Sequence, residues 1–253
     1  MGVPKNLLLL HRGEEEVRQK NISVVTADPD LVAHLDLTER AMDLIDVFVR
    51  QQVELDDDGR AIQHLGIRVF NGLATAWKLM ASGYYQKAGL IQRDLIETIY
   101  LINYFHINPE TLPVWRVADR KQLQREFGPV AIRKALDTHD GRGKSAREGI
   151  YYKFCNLAGH PTRAGFDMLR PKGGAAIIGP FPDNAALRAL LEEQGSLAVQ
   201  AGFALSVWLE LEAPMASSTA HRFLTGAMDY SGRFLGKVYS PEDRADVDRL
   251  YCR

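Results

Sequence analysis

Cysteine is scarce in this chain, with two in 253 residues, Cys155 and Cys252, in unrelated contexts. That excludes a disulfide framework and paired-cysteine zinc spacing, and it points to a reducing compartment, the cytoplasm. Long apolar runs are missing too. The four leucines at 7–10 are too few to cross a bilayer, and three glutamates at 14–16 follow them where a leader would need small residues. No membrane partner is therefore expected. Net charge is only −1, which excludes a protein that coats nucleic acid through bulk charge. What the chain does have is 46% hydrophobic and 25% charged residues, enough for a substantial core under a solvated surface.

The charge is unevenly distributed. Positions 116–172 hold 13 Lys/Arg against 6 Asp/Glu, a local balance of +7 that leaves −8 for the rest. Such sorting suits a phosphate-rich partner, and it equally suits a sorted surface with no partner.

Hydrophobic spacing predicts an all-α protein, a bundle of about six to eight helices in a single domain, 1–253. Residues 1–36 read as an N-terminal arm with a short strand at 22–26, and Thr38 reads as a helix N-cap. Residues 37–160 form the core bundle. Ala41, Leu44, Ile45 and Phe48 lie at helical intervals, and Asp56-Asp57-Asp58-Gly59 reads as a solvated turn. Ile62, Leu65, Val69, Leu73, Ala76, Trp77 and Met80 give the cleanest stripe. Positions 84–106 are apolar nearly all round, as in a central helix, and shorter helices follow near 109–126, 129–138 and 145–159. A Gly/Pro-rich loop at 161–183 carries a strand-like piece at 175–178. Residues 184–253 hold a helix capped by Asp183 or Asn184 and ended by Pro214, another near 217–230, and a charged tail.

One motif is a decoy. Asp140-Gly141-Arg142-Gly143-Lys144-Ser145 looks like the end of a phosphate-binding P-loop. However, Thr138 stands where the first glycine belongs, and 131–137 looks helical where a strand is required.

The informative anomaly is polar. Gln86, Arg93, Glu97 and Tyr104 are spaced 7, 4 and 7 apart on the most apolar helix. At about 100° per residue they share one line to within roughly 20°. Buried polar groups need partners, and the helix at 145–159 offers some. Lys153, Asn156 and His160 lie beside its apolar face of Ile150, Phe154 and Leu157, with Tyr152 at the other edge. If both stripes face one cleft, it would suit an anionic or phosphate-bearing ligand. His160 reads either as a helix-end cap or as a proton-transfer group tuned by the helix C-terminus. Cys155 and His160 point in different directions around a regular helix, so neither a metal nor another cofactor is expected.

Asn156-Leu157-Ala158-Gly159-His160 resembles the heart of the motif of the HEPN superfamily (higher eukaryotes and prokaryotes nucleotide-binding), an Arg followed by four to six residues and a His. Arg93-Asp94-Leu95-Ile96-Glu97 with Tyr151-Tyr152 is similar to a group of bacterial helical proteins related to it, and the resemblance covers about residues 60–212. It implies a helical bundle that dimerises across the motif, and a metal-independent ribonuclease of toxin or defence type. In that reading His160 is the acid or base, Lys153 or Arg93 stabilises phosphate charge, and Asn156 orients. Glu97 would hold Arg93, while Tyr152, Tyr104 and Gln86 would meet an RNA or nucleotide-like ligand. The chain departs from the pattern where the family has Arg, because Cys155 stands there. Lys153 lacks the bidentate fork of Arg. The alternative is a non-catalytic interaction protein, antitoxin-like and serving a partner protein, whose polar cluster is structural.

Overall fold

The computed structural model describes residues 2, 4–51, 55–141, 146–171, 173–213 and 215–251. Every regular element among them is helical: α1 (Lys5–Thr26), α2 (Pro29–Gln51), α3 (Asp57–Ala81), α4 (Tyr85–Ile107), α5 (Thr111–Val117), α6 (Arg120–Glu126) and α7 (Pro129–His139). These are followed by α8 (Ala146–Phe154), a π-helical turn (Cys155–Gly159), the one-turn α9 (Arg163–Phe166), α10 (Asn184–Ser206), α11 (Ala216–Phe234) and α12 (Pro241–Tyr251). The all-α expectation is met.

The helix starts follow from side-chain capping. Asp28 accepts from the Asp30 amide at 2.9 Å and opens α2 ten residues before Thr38, whose hydroxyl instead donates to the His34 carbonyl. Asp56 accepts from Gly59 N at 2.7 Å, so the aspartate run is the N-terminus of α3, where carboxylates suit the helix dipole. Asp183 accepts from Ala185 N and Ala186 N, both at 2.9 Å, and opens α10. This helix ends at Ser206, well before Pro214.

Several expectations need correction. Among the described residues, eleven helices of seven residues or more replace the expected six to eight. The N-terminal arm is α1 plus the first turns of α2, so 22–26 is helix and not strand. Extended Ala118 and the Asp119 cap split 109–126 into α5 and α6, and the charged tail forms α12. No strand occurs among the described residues. The piece at 175–178 is irregular, tied to the preceding turn by Ile177 N donating to Leu169 O at 3.1 Å. The P-loop-like residues 142–145, Lys172, Pro214 and Cys252 lie outside the described residues.

α4 is central. α3, α7, α8 and α10 pack on it, and α10 also packs on α2. Leu44, Phe48, Leu73, Leu95, Ile99, Ile102 and Phe105 form part of the larger apolar core, each at most 1% exposed. Side chains of this size contribute about 1.5–3 kcal/mol each when fully buried. A smaller cluster joins α1, α3 and α10 around Met80, Tyr85 and Leu187. There the Tyr85 hydroxyl accepts from Asn21 Nδ2 at 3.1 Å and from Asp183 N at 2.9 Å, tying three helices together. The α10–α11 contact tolerates nothing larger than glycine at 202, where a Cβ would lie 2.0 Å from Phe223 Cζ. Among the described residues no helix is long and apolar enough to cross a membrane.

Candidate functional site

The polar line on α4 meets the segment 146–166. Gln86 Nε2 donates to the Gly165 carbonyl at 2.9 Å. Arg93 Nε donates to Cys155 Sγ at 3.1 Å, and its Nη2 donates to Glu97 Oε1 at 2.7 Å and to the Tyr151 hydroxyl at 2.8 Å. That hydroxyl in turn donates to Glu97 Oε1 at 2.8 Å. Burial opposes the Arg93 charge, yet Tyr151, Cys155 and Glu97 together hold the guanidinium above its ordinary value. The Tyr151 phenol is pushed up to about 12, first by burial and also by the Glu97 carboxylate, against the pull of Arg93. Tyr104 joins none of this. It lies among rings, 6.0 Å from Phe105 and 6.2 Å from Phe127.

Lys153, Asn156, His160 and Tyr152 are exposed. The face of α8 that turns inward carries Tyr151, Phe154 and Cys155, while Ile150 is 39% exposed. At 155 the helix widens into the π turn, with His160 N donating to Cys155 O, five residues back, at 3.0 Å. A π turn changes the register that a regular 3.6-residue spacing assumes. Gly159 sits close against the Arg93 stem as a result, a Cβ there being 3.2 Å from Arg93 Cδ. Asn156 is engaged through its carbonyl, which accepts from the Thr162 hydroxyl. Arg93 and Glu97 are thus brought together with Tyr151 and Cys155, and no hydrogen bond joins them to Lys153, Asn156 or His160.

A cleft of about 880 Å³ opens beside this cluster, walled by α3, α4, α5 and α7. Its apolar lining includes Leu65, Leu101, Trp115, Phe127 and Ile132, and Glu97 and Tyr151 reach its edge from the cluster. The other carboxylates and most of the arginines in the wall are mutually paired. Arg60 meets Asp57 at 3.1 Å, Arg116 meets Asp57 at 3.2 Å and Asp58 at 2.5 Å, and Arg68 bridges to Asp94.

Arg133 is different. It lines the cleft from α7 at 3% exposure, and among the described residues neither a carboxylate nor a hydrogen-bond acceptor meets its buried Nη1. Its guanidinium lies over the Tyr151 ring, 4.2 Å from the centroid, with Tyr152 at 5.6 Å. A cation over a ring is worth up to about 2 kcal/mol when desolvated. A buried charge left without a counter-charge costs several kcal/mol, so the stacking alone does not satisfy it.

Compared with protein-family models, curated proteins and solved structures, the chain matches none.

Neither Arg133 nor Tyr151 is among the ligand-facing residues that the α4 stripe suggests. A signal for Arg133 exists in the sequence. Ile132, Arg133, Leu136 and Asp137 all fall on the buried side of α7, so Arg133 shares a face with Leu136 three residues on. Lys134 beside it makes the pair look like an ordinary solvated face.

Proposed function

We propose that this chain is a ligand-binding protein whose cleft between α3, α4, α5 and α7 takes a small anionic organic molecule, with Arg133 as the anion anchor. The observation that carries this reading is a buried guanidinium in the cleft wall with no carboxylate partner among the described residues. A carboxylate or phosphate bound in the cleft would give the Arg133 guanidinium the counter-charge that no described carboxylate supplies, through a charge-assisted hydrogen bond, among the strongest available to a side chain. The cleft's volume falls within the roughly 300–1,000 Å³ of small-molecule sites, and its mixed apolar and polar wall suits an organic ligand.

The nucleotide-like ligand implied by the HEPN resemblance is one member of this class. Hydrolysis by His160 draws no support from the geometry, since that residue is exposed and shares no hydrogen bond with either arginine. The structural alternative is favoured for the Arg93 cluster by itself, whose members satisfy one another.

A ligand that binds only the folded state raises the melting temperature in proportion to the logarithm of its concentration. Melting with increasing AMP and with increasing benzoate, on wild type and Arg133→Met, tests the reading. A dose-dependent rise in wild type with at least one anion, absent in the variant, is expected. Equal responses in both proteins, or none in either, would remove Arg133 as an anchor.

A further inference from the structure

The charges around the cleft also say how much negative charge it can accept. Arg60, Arg68, Arg93, Arg116 and Arg133 stand against Asp57, Asp58, Asp94 and Glu97, an excess of one cation. Each of the four carboxylates is already bound to an arginine, and among the described residues Arg133 is the arginine of this set without a carboxylate. Asp57 sits in the first turn of α3, where Arg60 and Arg116 hold its carboxyl below the ordinary value. Arg60 and Arg116 therefore keep their partners. A ligand with several charges would compete with these carboxylates for the arginines, and it would lie against Asp94 and Glu97, which line the same space.

The apolar lining gives the other half of the recognition. Trp115 and Phe127 are partly exposed and line the cleft, and both belong to the aromatic group around Phe105, 5.3 and 6.4 Å from its ring. With Leu101 they line the cleft with apolar side chains against which a planar ring can bury its surface and stack.

We infer that the ligand is a singly charged, ring-bearing organic acid, its one anionic group on Arg133 and its ring against Trp115, Phe127 and Leu101. The inference rests on the cleft being the binding site and narrows the class of molecule it takes. Polyphosphates and RNA are excluded by it. Polyanions bind through arrays of unpaired cations, and among the described residues the cleft wall offers one arginine without a carboxylate.

Calorimetric titration tests this with four probes, namely 3-phenylpropionate, its neutral amide, AMP and ATP. The proteins are wild type, Arg133→Met and Lys134→Ala, the last removing a neighbouring exposed charge on the same helix. Wild type and Lys134→Ala should bind 3-phenylpropionate equally and more tightly than AMP or ATP. The amide on wild type, and 3-phenylpropionate on Arg133→Met, should each bind roughly 10- to 100-fold more weakly, the loss expected for one charge-assisted hydrogen bond. If AMP or ATP binds more tightly than 3-phenylpropionate and depends on Arg133, the single-charge class is overturned while the cleft stands as an anion site. If no probe binds in a manner dependent on Arg133, both inferences fall. Should Arg133→Met fail to fold, the acid–amide comparison on wild type decides alone, and equal affinities overturn the class.

Discussion

Arg93 and Arg133 share one aromatic ring and differ in everything else. Their guanidinium carbons lie 5.2 and 4.2 Å from the Tyr151 centroid. Arg93 donates to a thiol, a carboxylate and a phenol, while the orphaned Nη1 of the more deeply buried Arg133 meets no acceptor. A polar cluster that satisfies itself has no use for a ligand and serves to fasten α4 to α8. A buried cation left unsatisfied beside a cleft is a cost the fold carries, and a bound anion would remove it. One arginine is thus satisfied by the fold, and the other has a buried nitrogen that no described acceptor meets.

The largest effect should come from breaking the satisfied side. Arg93→Ala removes the charged donor of both Glu97 and Tyr151 and leaves only the bond between those two. With Arg93 23% and Glu97 30% exposed, screening brings the cost down to about 2–3 kcal/mol, below that of a fully buried pair. Chemical denaturation should register this as a lower midpoint with an unchanged slope. An unchanged midpoint would mean that the cluster holds nothing together.

Tyr151→Phe sharpens the contrast, since it removes the hydroxyl and keeps the ring under Arg133. It should cost about 1–2 kcal/mol through the two lost hydrogen bonds, with anion binding at Arg133 retained. The same hydroxyl has a pH signature. Because its folded pKa of about 12 lies above the ordinary phenol value, its contribution is intact below pH ~10 and is lost as pH rises toward 12. Wild type should lose stability over that window more steeply than Tyr151→Phe, and parallel curves would place the phenol outside the network.

At the acid end, His34 is buried beside Tyr230, and burial lowers its pKa. Its neutral form is the folded one, so its contribution is present above the unfolded imidazole value of about 6.5 and is lost as pH falls below it. Denaturation at pH 7 and pH 5 should show a smaller loss in His34→Gln than in wild type. The smallest effect belongs to the outer face of the π turn. His160→Ala should change stability by no more than about 0.5 kcal/mol, because the side chain is exposed. A larger loss would show that the imidazole has partners after all.

Much of this fold is legible in the sequence, for reasons that differ between helices. α3 repeats apolar residues on every turn, and α4 is apolar all round, so both declare themselves. α1 does not, because its buried residues are only Val17, Asn21 and Val25, one per turn, and its last turns are rich in β-branched residues that suit a strand equally well. The Arg93–Glu97 pair is visible as a polar line on an apolar helix. The other half of the site is hidden by two local events. On regular α8 the inward face is that of Tyr151 and Phe154, which leaves Lys153 outside, and the π turn at Cys155–Gly159 then breaks the periodicity that would line His160 up with it. Arg133 lies in an 11-residue helix too short for its two buried charges, Arg133 and Asp137, to stand out against its pattern.

Arg133 Nη1 meets no acceptor among the described residues, and melting the unliganded wild type, Arg93→Ala and Arg133→Met side by side tests most directly whether the fold carries that cost. The orphaned donor costs about 1–3 kcal/mol, and the stacking on Tyr151 returns at most about 2 kcal/mol. Arg133→Met should therefore melt at the wild-type temperature or a few degrees above it, at roughly 2–4 °C per kcal/mol, while Arg93→Ala melts well below. A fall in Arg133→Met as large as that in Arg93→Ala would mean that both arginines are structural, and the cleft would lose its anchor.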